Sequence, residues 1–267
     1  MAVQNSLQRS RGNQRLGISA YLTADAVKNQ INQVVGGKDG QRFISAIVSA
    51  VNTNPALQEC TNQSILSGAL LGESLKLSPS PQLGQYYLVP FNDKNKGKVA
   101  QFQLGYKGYI QLAIRSGQYK KLNVLAIKEG ELIRFDPLNE EIEVRLIEDE
   151  EEREQANTIG YYAMFEYTNG FRKAIYWSKR KMEAHALKYS KGYQAKKGYT
   201  FWEKDFDGMA YKTMLRQLIS KWGIMSIDMA SAIDSDMAVI NEDGTKDYVD
   251  NDATVFDMEP AQEATTQ

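Results

Sequence analysis

Cysteine and histidine are almost absent from this chain of 267 residues. Cys60 is the only cysteine and His185 the only histidine. An internal disulfide, a zinc site built from cysteines and histidines, and the metalloprotease motif HExxH are therefore all excluded. A lone cysteine is typical of a protein that works in a reducing compartment, so we expect a cytoplasmic protein.

Long apolar runs and nucleotide-binding motifs are missing as well. The chain has no run of 18 apolar residues, which predicts no membrane span, and its arginine-containing N-terminus lacks the apolar stretch of a secretory signal. It contains no GxxxxGK[ST], no GxGxxG after a strand and no GxSxG. These absences exclude a helicase and an ATP-driven strand-exchange protein of the usual kind.

The net charge of −1 hides a strong separation of acidic and basic residues along the chain. Residues 231–267 hold 10 acidic residues and 1 basic residue, so the first 230 residues hold 31 basic and 23 acidic ones. This split indicates a body that binds nucleic acid and a tail that interacts with a partner.

Changes in composition divide the chain into an arm, a core and a tail. Residues 1–18 are polar with little to bury, which predicts a flexible arm, and 231–267 predict an acidic, largely disordered tail. The core is predicted over 19–230. Apolar residues at helical spacing predict that 19–77 is helical, and strand signals alternating with helical ones predict an α+β part over 78–230.

The strand signals come mainly from hairpins. Residues 85–89 and 99–104 read as strands joined by a basic loop, and Asn169-Gly170 carries the strongest hairpin signal in the chain. We therefore expect the α+β fold class. It would have a small antiparallel β-sheet with hairpins packed against helices, a helical N-terminal third and a disordered acidic C-terminal tail.

One basic stretch covers residues 94–128, which contain 8 Lys or Arg and no Asp or Glu. The absence of acids over this length predicts a surface that faces phosphates. Within the stretch, Gly105 precedes a predicted helix whose free N–H groups suit a phosphate. Lys107, Gln111 and Arg115 step by four residues and form its polar side.

A second basic stretch ends in one long helix, predicted over residues 205–223. From Phe171 to Trp222 there are 13 Lys or Arg, 4 Asp or Glu and 11 aromatic residues. Cations interleaved with aromatic rings are typical of sequence-tolerant single-strand binding, because cations meet phosphates and rings stack on bases. Lys212 and Arg216 leave the helix on the same side, and Gly223 suits a left-handed helix end.

Two segments resemble the signature blocks of a known family. QLGYKGYIQLAIRSGQYK (103–120) and FWEKDFDGMAYKTMLRQLISKWG (201–223) are similar to the two blocks of the RecT family of phage and prophage single-strand annealing proteins. Residues 57–91 fit the N-terminal half of the same family.

The resemblance implies ATP-independent binding of single-stranded DNA and pairing of complementary strands into a duplex, as in DNA recombination and repair. It implies a homo-oligomer, either a ring or a helical filament, and a partner exonuclease that produces the single strand. A host single-strand-binding protein is implied as a partner of the C-terminal tail. The expected location is the cytoplasm of a bacterial host cell, with no cofactor and Mg²⁺ only as a modulator of DNA binding.

A protein that anneals DNA holds each strand by its backbone, so the expected contacts are basic residues. We expect phosphate contacts from Lys107, Arg115, Lys120, Lys121, Lys212 and Arg216, with Lys204 and Lys221 as second choices. The candidates for stacking on bases are Tyr106, Tyr109, Tyr193 and Trp202. Of the aromatic residues, Tyr109 and Trp222 are better interpreted as core. The hairpin over 86–104 is a candidate wedge between bases or a contact with a neighbouring protomer.

Two other functions fit parts of the sequence. Scattered carboxylates, Asp136, Glu141, Asp205 and Asp207, would serve a metal-dependent nuclease. A plain single-strand-binding protein would shield bases and slow the pairing of strands. The run of acids at 148–154 is predicted to be a charged loop rather than a catalytic centre, and His185 to be a structural or surface residue.

Overall fold

The computed structural model describes residues 16–36, 38–93, 95–198 and 200–248. They form a mixed α+β protein in which small antiparallel sheets pack against helices, so the expected fold class is confirmed. The N-terminal third is helical, as predicted. Its helices are α1 (Ile18–Thr23), α2 (Asp25–Val35), α3 (Gly40–Thr53) and α4 (Asn62–Ser74), with a 3-10 helix at Pro55–Glu59.

The first sheet joins the long hairpin to the C-terminal part of the described chain. Strands β1 (Tyr86–Asp93) and β2 (Gly97–Leu104) pair antiparallel along their whole length. β2 also pairs with β8 (Ala238–Ile240), which in turn pairs with β9 (Lys246–Tyr248). The strands of this hairpin therefore extend further into its basic tip than the sequence predicted.

The second sheet has the order β3-β6-β7 and is antiparallel. Its strands are β3 (Tyr119–Lys128), β6 (Thr158–Tyr167) and β7 (Arg172–Ser178). The predicted hairpin at Asn169-Gly170 connects β6 to β7, and Gly170 has a φ of +87°. Glycine adopts this conformation without the steric cost that other residues meet.

A separate hairpin of β4 (Leu132–Asp136) and β5 (Glu141–Val144) leads into the short helix α6 (Glu150–Gln155). The predicted charged loop at 148–154 is therefore largely helical. The carboxylate of Asp149 accepts a hydrogen bond from the Glu152 N–H at 2.8 Å and caps the helix.

The other helices pack on the two sheets. They are α5 (Tyr106–Arg115), α7 (Lys179–Tyr189), α8 (Lys191–Gln194), α9 (Phe201–Lys204), α10 (Phe206–Trp222) and α11 (Ile227–Ser235). Asp205 caps α10, since its carboxylate accepts from the Gly208 N–H at 2.9 Å. Gly223, however, has a φ of −79°, so the left-handed helix end predicted there is wrong.

Helix α10 is packed between two cores. Leu215 and Ile219 belong to the core formed with the N-terminal helices and the first sheet. Met214 and Leu218 belong to the core beneath the second sheet. Burying each such side chain contributes about 1.5–3 kcal/mol relative to leaving it exposed, so α10 couples the two sheets.

The described fold continues past the predicted core boundary at residue 230. Helix α11 ends at Ser235, and β8 and β9 add to the first sheet, so 231–248 belong to the fold rather than to a tail. Buried apolar residues explain this, because Ala232, Ala238 and Ile240 pack in the first core despite the acidic composition around them. The predicted arm up to residue 15 and the tail from residue 249 lie outside the described residues.

Candidate nucleic-acid interface

Lys212 and Arg216 leave α10 on the same side, but that side faces the interior. Lys212 Nζ lies 2.8 Å from Asp236 Oδ1, and Arg216 Nη1 lies 2.6 Å from Asp236 Oδ2. The side chain of Asp236 is 0% exposed and that of Lys212 is 8% exposed. The prediction that these two cations contact phosphate is therefore corrected, because both point inward and bind the same buried carboxylate.

This buried ion cluster ties three parts of the chain together. Asp236 follows α11, the cations come from α10, and the Leu104 N–H at the end of β2 also donates to Asp236 Oδ1 at 2.9 Å. Burial lowers the pKa of Lys212, and its attraction to Asp236 opposes that shift. The hydroxyl of Tyr109 lies beside Arg216 and Asp236, and burial raises its pKa.

Two lysines near the tip of the first hairpin are paired with acids from distant segments. Lys96 forms an ion pair with Asp247 of β9, and Lys98 forms one with Glu59. The run 94–128 has no acids of its own, yet the fold brings acids to it. The tip is therefore less positively charged than its sequence predicted.

Lys120 and Lys121, at the start of β3, share a single carboxylate. Glu166 of β6 lies 2.6 Å from Lys120 Nζ and 3.7 Å from Lys121 Nζ. The bond from Lys120 is the main reason that the pKa of Glu166 lies below its usual value. Both lysines are exposed, and two ammonium groups on one carboxylate leave an excess of positive charge. They remain predicted phosphate contacts.

A shallow groove of about 470 Å³ lies beside these two lysines, between α5 and β3. Its lining is Ile110, Ile114, Tyr119, Lys120, Lys121, Leu122, Asn123 and Met164. The lining combines the two lysines with apolar side chains, so a phosphate backbone that passed along the groove would meet cations.

The two predicted contacts on α5 lie at opposite ends of the helix. Lys107 is exposed in the first turn, with Nζ 6.0 Å from the centre of the Tyr106 ring. Arg115 is also exposed, but its guanidinium donates to the Leu75 carbonyl at 2.6 Å. Arg115 therefore bonds to a carbonyl just past the end of α4 in this structure, and its phosphate contact stays a prediction.

Most of the predicted stacking residues are engaged inside the protein. Trp202 is 7% exposed and packs against Tyr193 and Phe206, so the prediction that it stacks on bases is corrected to a core role. Tyr193 is half-buried in the same cluster. Tyr106 is half-buried with its ring edge-on to that of Tyr211. Tyr109 is fully buried, which confirms its core assignment.

Trp222 lies on the surface, so its predicted core assignment is wrong. The residue is 45% exposed, and Lys173 Nζ lies 3.5 Å from the centre of its ring. The spacing of the apolar positions on α10 places Trp222 on the buried stripe, but the helix leaves the core at its last turn. The indole of Trp222 is therefore a candidate for DNA contact, although helical spacing assigned it to the interior.

Lysines from α7 and from the end of α10 gather on one face. Lys181 Nζ lies 4.3 Å from the centre of the Trp177 ring, and its pKa is lowered by burial and then by Lys221. His185 of α7 has a pKa lowered to about 4 by burial and then by Lys188 and Lys181. We call Lys181, Lys188 and Lys221 the cationic face. Its sequence signal was the density of lysines in 171–222.

Of the second-choice contacts, Lys221 belongs to this face and Lys204 is exposed on α9. Both are accessible in the structure. The phosphate contacts of the two residues remain predictions.

Three of the four carboxylates considered for a nuclease serve separate structural roles. Asp136 accepts hydrogen bonds from the Leu138 and Asn139 N–H groups, and Asp207 accepts one from the Tyr161 hydroxyl at 2.6 Å. Asp205 is the cap of α10. Within the four described ranges, no three His, Cys, Asp or Glu side chains lie close enough to hold one metal ion. His185 is half-buried and lies beside Trp177, Tyr189 and Trp202, as a structural residue would.

The helices of the described chain are also too short or too polar to cross a bilayer. The fold and its surface therefore define a mixed α+β protein that presents lysines beside aromatic rings. Residues 41–252 match the sequence model of the RecT family, and the chain belongs to this family.

Two curated relatives are similar to the chain over most of its length. An "uncharacterized protein YqaK" of Bacillus subtilis (strain 168) is 38% identical over 276 aligned positions, which cover 100% of this chain and 89% of the relative. "Protein RecT" of Escherichia coli (strain K12) is 28% identical over 240 positions, which cover 86% of each chain.

Proposed function

We propose that this protein is an ATP-independent single-strand annealing protein of homologous recombination. It binds single-stranded DNA through the phosphate backbone and pairs the strand with its complement. Membership of the RecT family supports the proposal. The observation that carries it on this chain is the cationic face, where neighbouring lysines add to the effect of burial in lowering the pKa values of Lys181 and His185.

Like charges held close together favour the binding of an anion. Burial lowers the pKa of Lys181, and Lys221 lowers it further because two ammonium groups repel each other. A phosphate placed between them would relieve that repulsion. A polyanion would also release counterions on binding, so affinity should fall steeply as salt rises. The exposed pairs of Lys120 and Lys121 with Glu166 can exchange the carboxylate for phosphate in the same way.

Annealing needs two DNA backbones to approach each other. Lysines on the protein reduce the repulsion between them, and contacts restricted to the backbone leave the base edges available for pairing. Pairing itself releases free energy, so the reaction requires no ATP. Mg²⁺ enters only as a modulator of DNA binding.

The same proposal covers the assembly and its partners. The protein acts in the cytoplasm of a bacterial host cell as a homo-oligomeric ring or helical filament. A partner exonuclease supplies the single strand, and residues 249–267 of the acidic tail contact a host single-strand-binding protein. The acidic composition of the tail supports contact with a protein rather than with DNA.

The test is annealing of two complementary labelled oligonucleotides without ATP, with and without Mg²⁺. We expect duplex to form faster with the protein than without it, and both strands to stay intact. Slower duplex formation would show that the protein shields bases instead, and shortened strands would show a nuclease.

A further inference from the structure

We infer that Phe171 and Trp222 form a platform on which bases of single-stranded DNA stack, beside the lysines that hold the phosphates. The inference rests on the proposed function. It assigns the base contacts to residues other than Tyr106, Tyr193 and Trp202, the stacking residues predicted from the sequence. Both platform residues are large aromatic side chains that the fold leaves open, Phe171 at 47% and Trp222 at 45% exposed.

The second sheet brings the two rings to one end of the molecule. Tyr167 links them, because its ring stacks on Phe171 with a centroid distance of 5.9 Å and an interplanar angle of 22°. Its hydroxyl donates to the Trp222 carbonyl at 3.2 Å and accepts from the Ile224 N–H. The buried Tyr167 therefore contacts both the ring of Phe171 and the backbone of Trp222.

Lys173 holds the indole of Trp222 in place. Its Nζ lies 3.5 Å from the ring centre and 2.5 Å from the Glu140 carboxylate. Phe171 directly precedes β7 and its carbonyl accepts from the Tyr167 N–H of β6. Lys173 lies two residues further along the same extended backbone, so the two side chains point to the same side of the sheet. Lys173 thus covers one face of the indole. The exposed part of Trp222 is the part of the ring that Lys173 does not cover.

The surroundings of the platform select a nucleic acid as its occupant. Lys221 precedes Trp222 in the chain, and it acts electrostatically on Lys181 of α7. Aromatic rings beside lysines fit a ligand that alternates flat bases with phosphates, and stacking tolerates every base because each has a π-face. A base held by its face keeps its pairing edge free, which annealing requires.

The experiment compares oligo(dT) with an abasic oligonucleotide of the same length and charge. Binding of each is measured by anisotropy for the full-length wild-type protein, Phe171→Ala and Trp222→Ala. We expect each variant to lose about 5- to 150-fold in affinity for oligo(dT), because stacking contributes about 1–3 kcal/mol per base. Affinity for the abasic strand should not change.

Phe201→Ala is the matched control, because Phe201 is also a surface phenylalanine, which lies in α9 with its ring next to that of Tyr87. It should bind both strands as the wild type does. Quenching of tryptophan fluorescence gives a second reading that does not depend on a truncated side chain. Trp222→Phe should remove most of the quenching that oligo(dT) causes, since Trp202 is buried and Trp177 half-buried.

The outcomes separate this inference from the proposed function. If the wild type binds neither strand, the proposed function fails. If it binds both strands and the platform variants lose no preference for oligo(dT), only the stacking inference is overturned. The same holds if the variants lose both ligands equally, or if they change self-association and leave both affinities unchanged. The last result would assign the surface to contacts between copies of the chain.

Discussion

Replacing Asp236 by alanine tests whether the buried ion cluster is structural. The substitution leaves Lys212 and Arg216 without their shared carboxylate and the Leu104 N–H without its acceptor. Breaking a buried ion pair by removing one partner typically costs about 3–5 kcal/mol, because a charge stays buried without compensation. Natural proteins have a stability of only about 5–15 kcal/mol, so this is a large fraction of the total.

The expected loss is measurable in a thermal or urea unfolding curve followed by circular dichroism. At about 2–4 °C per kcal/mol for a chain of this size, Asp236→Ala should lower Tm by roughly 6–20 °C. Asp234→Ala is the matched control, since that carboxylate is two residues away and its side chain is 66% exposed beside Lys246. Exposed pairs contribute about 0–1 kcal/mol, so the control should unfold close to the wild type.

A second variant separates structure from DNA contact. Lys212→Met keeps the apolar stem and leaves Arg216 paired with Asp236. We expect it to keep the salt dependence of DNA binding of the wild type. The reasoning would be refuted if Asp236→Ala were as stable as Asp234→Ala, or if Lys212→Met weakened DNA binding while stability stayed the same. The latter result would return Lys212 to the phosphate surface.

Three further predictions concern the cationic face and the core. Lys181→Ala and Lys221→Ala should each reduce the slope of log affinity against log salt for single-strand binding by about 0.7. Anisotropy over a salt series measures this slope, and an unchanged slope would remove the residue from the phosphate surface. The His185 imidazole should titrate by NMR in the tag-free protein with a pKa of about 4, and a value near 6.5 would place the ring in solvent. Because this pKa lies below that of the unfolded chain, the unfolded state binds more protons and His185 costs stability as pH falls from about 6.5 to 4. Gly72→Ala should destabilise the protein in thermal unfolding by about 1–3 kcal/mol, since its Cβ would lie 2.3 Å from the buried Tyr86 ring, and an unchanged Tm would mean that the ring can move aside.

The local elements of the fold were predictable because their signals are short-range. β1 and β2 lie close to the strands predicted over 85–89 and 99–104, and the turn at Asn169-Gly170 joins two strands as expected. What the sequence concealed was the pairing of β8 with β2, since these strands are far apart in the chain. Acidic residues around β8 and β9 also masked the few buried apolar positions that attach this segment to the sheet.

The functional site was less predictable, because helical spacing shows which residues share a side but not what that side faces. The four-residue spacing correctly predicted that Lys212 and Arg216 leave α10 on the same side. Both side chains point inward because they bind the buried carboxylate of Asp236. This residue lies 24 residues beyond Lys212, in a segment predicted to be a tail. Trp222 shows the converse, since it continues the apolar stripe of α10 but lies where the helix leaves the core.

The number of basic residues in a stretch of sequence also does not show how much positive charge the folded surface presents, because the fold can bring acids beside them. The run 94–128 contains no acids, so its sequence predicts a basic surface. In the fold, however, Glu59, Glu166 and Asp247 each form ion pairs with one or two of its lysines. On the cationic face, burial lowers the pKa values of Lys181 and His185, and neighbouring lysines lower them further. A folded protein gains little from holding like charges together, because they repel each other. In the proposed function, that repulsion favours the binding of a phosphate chain, and the exposed rings beside it hold bases by their faces. The pairing edges are then left to the second strand, whose hybridisation supplies the free energy of the reaction.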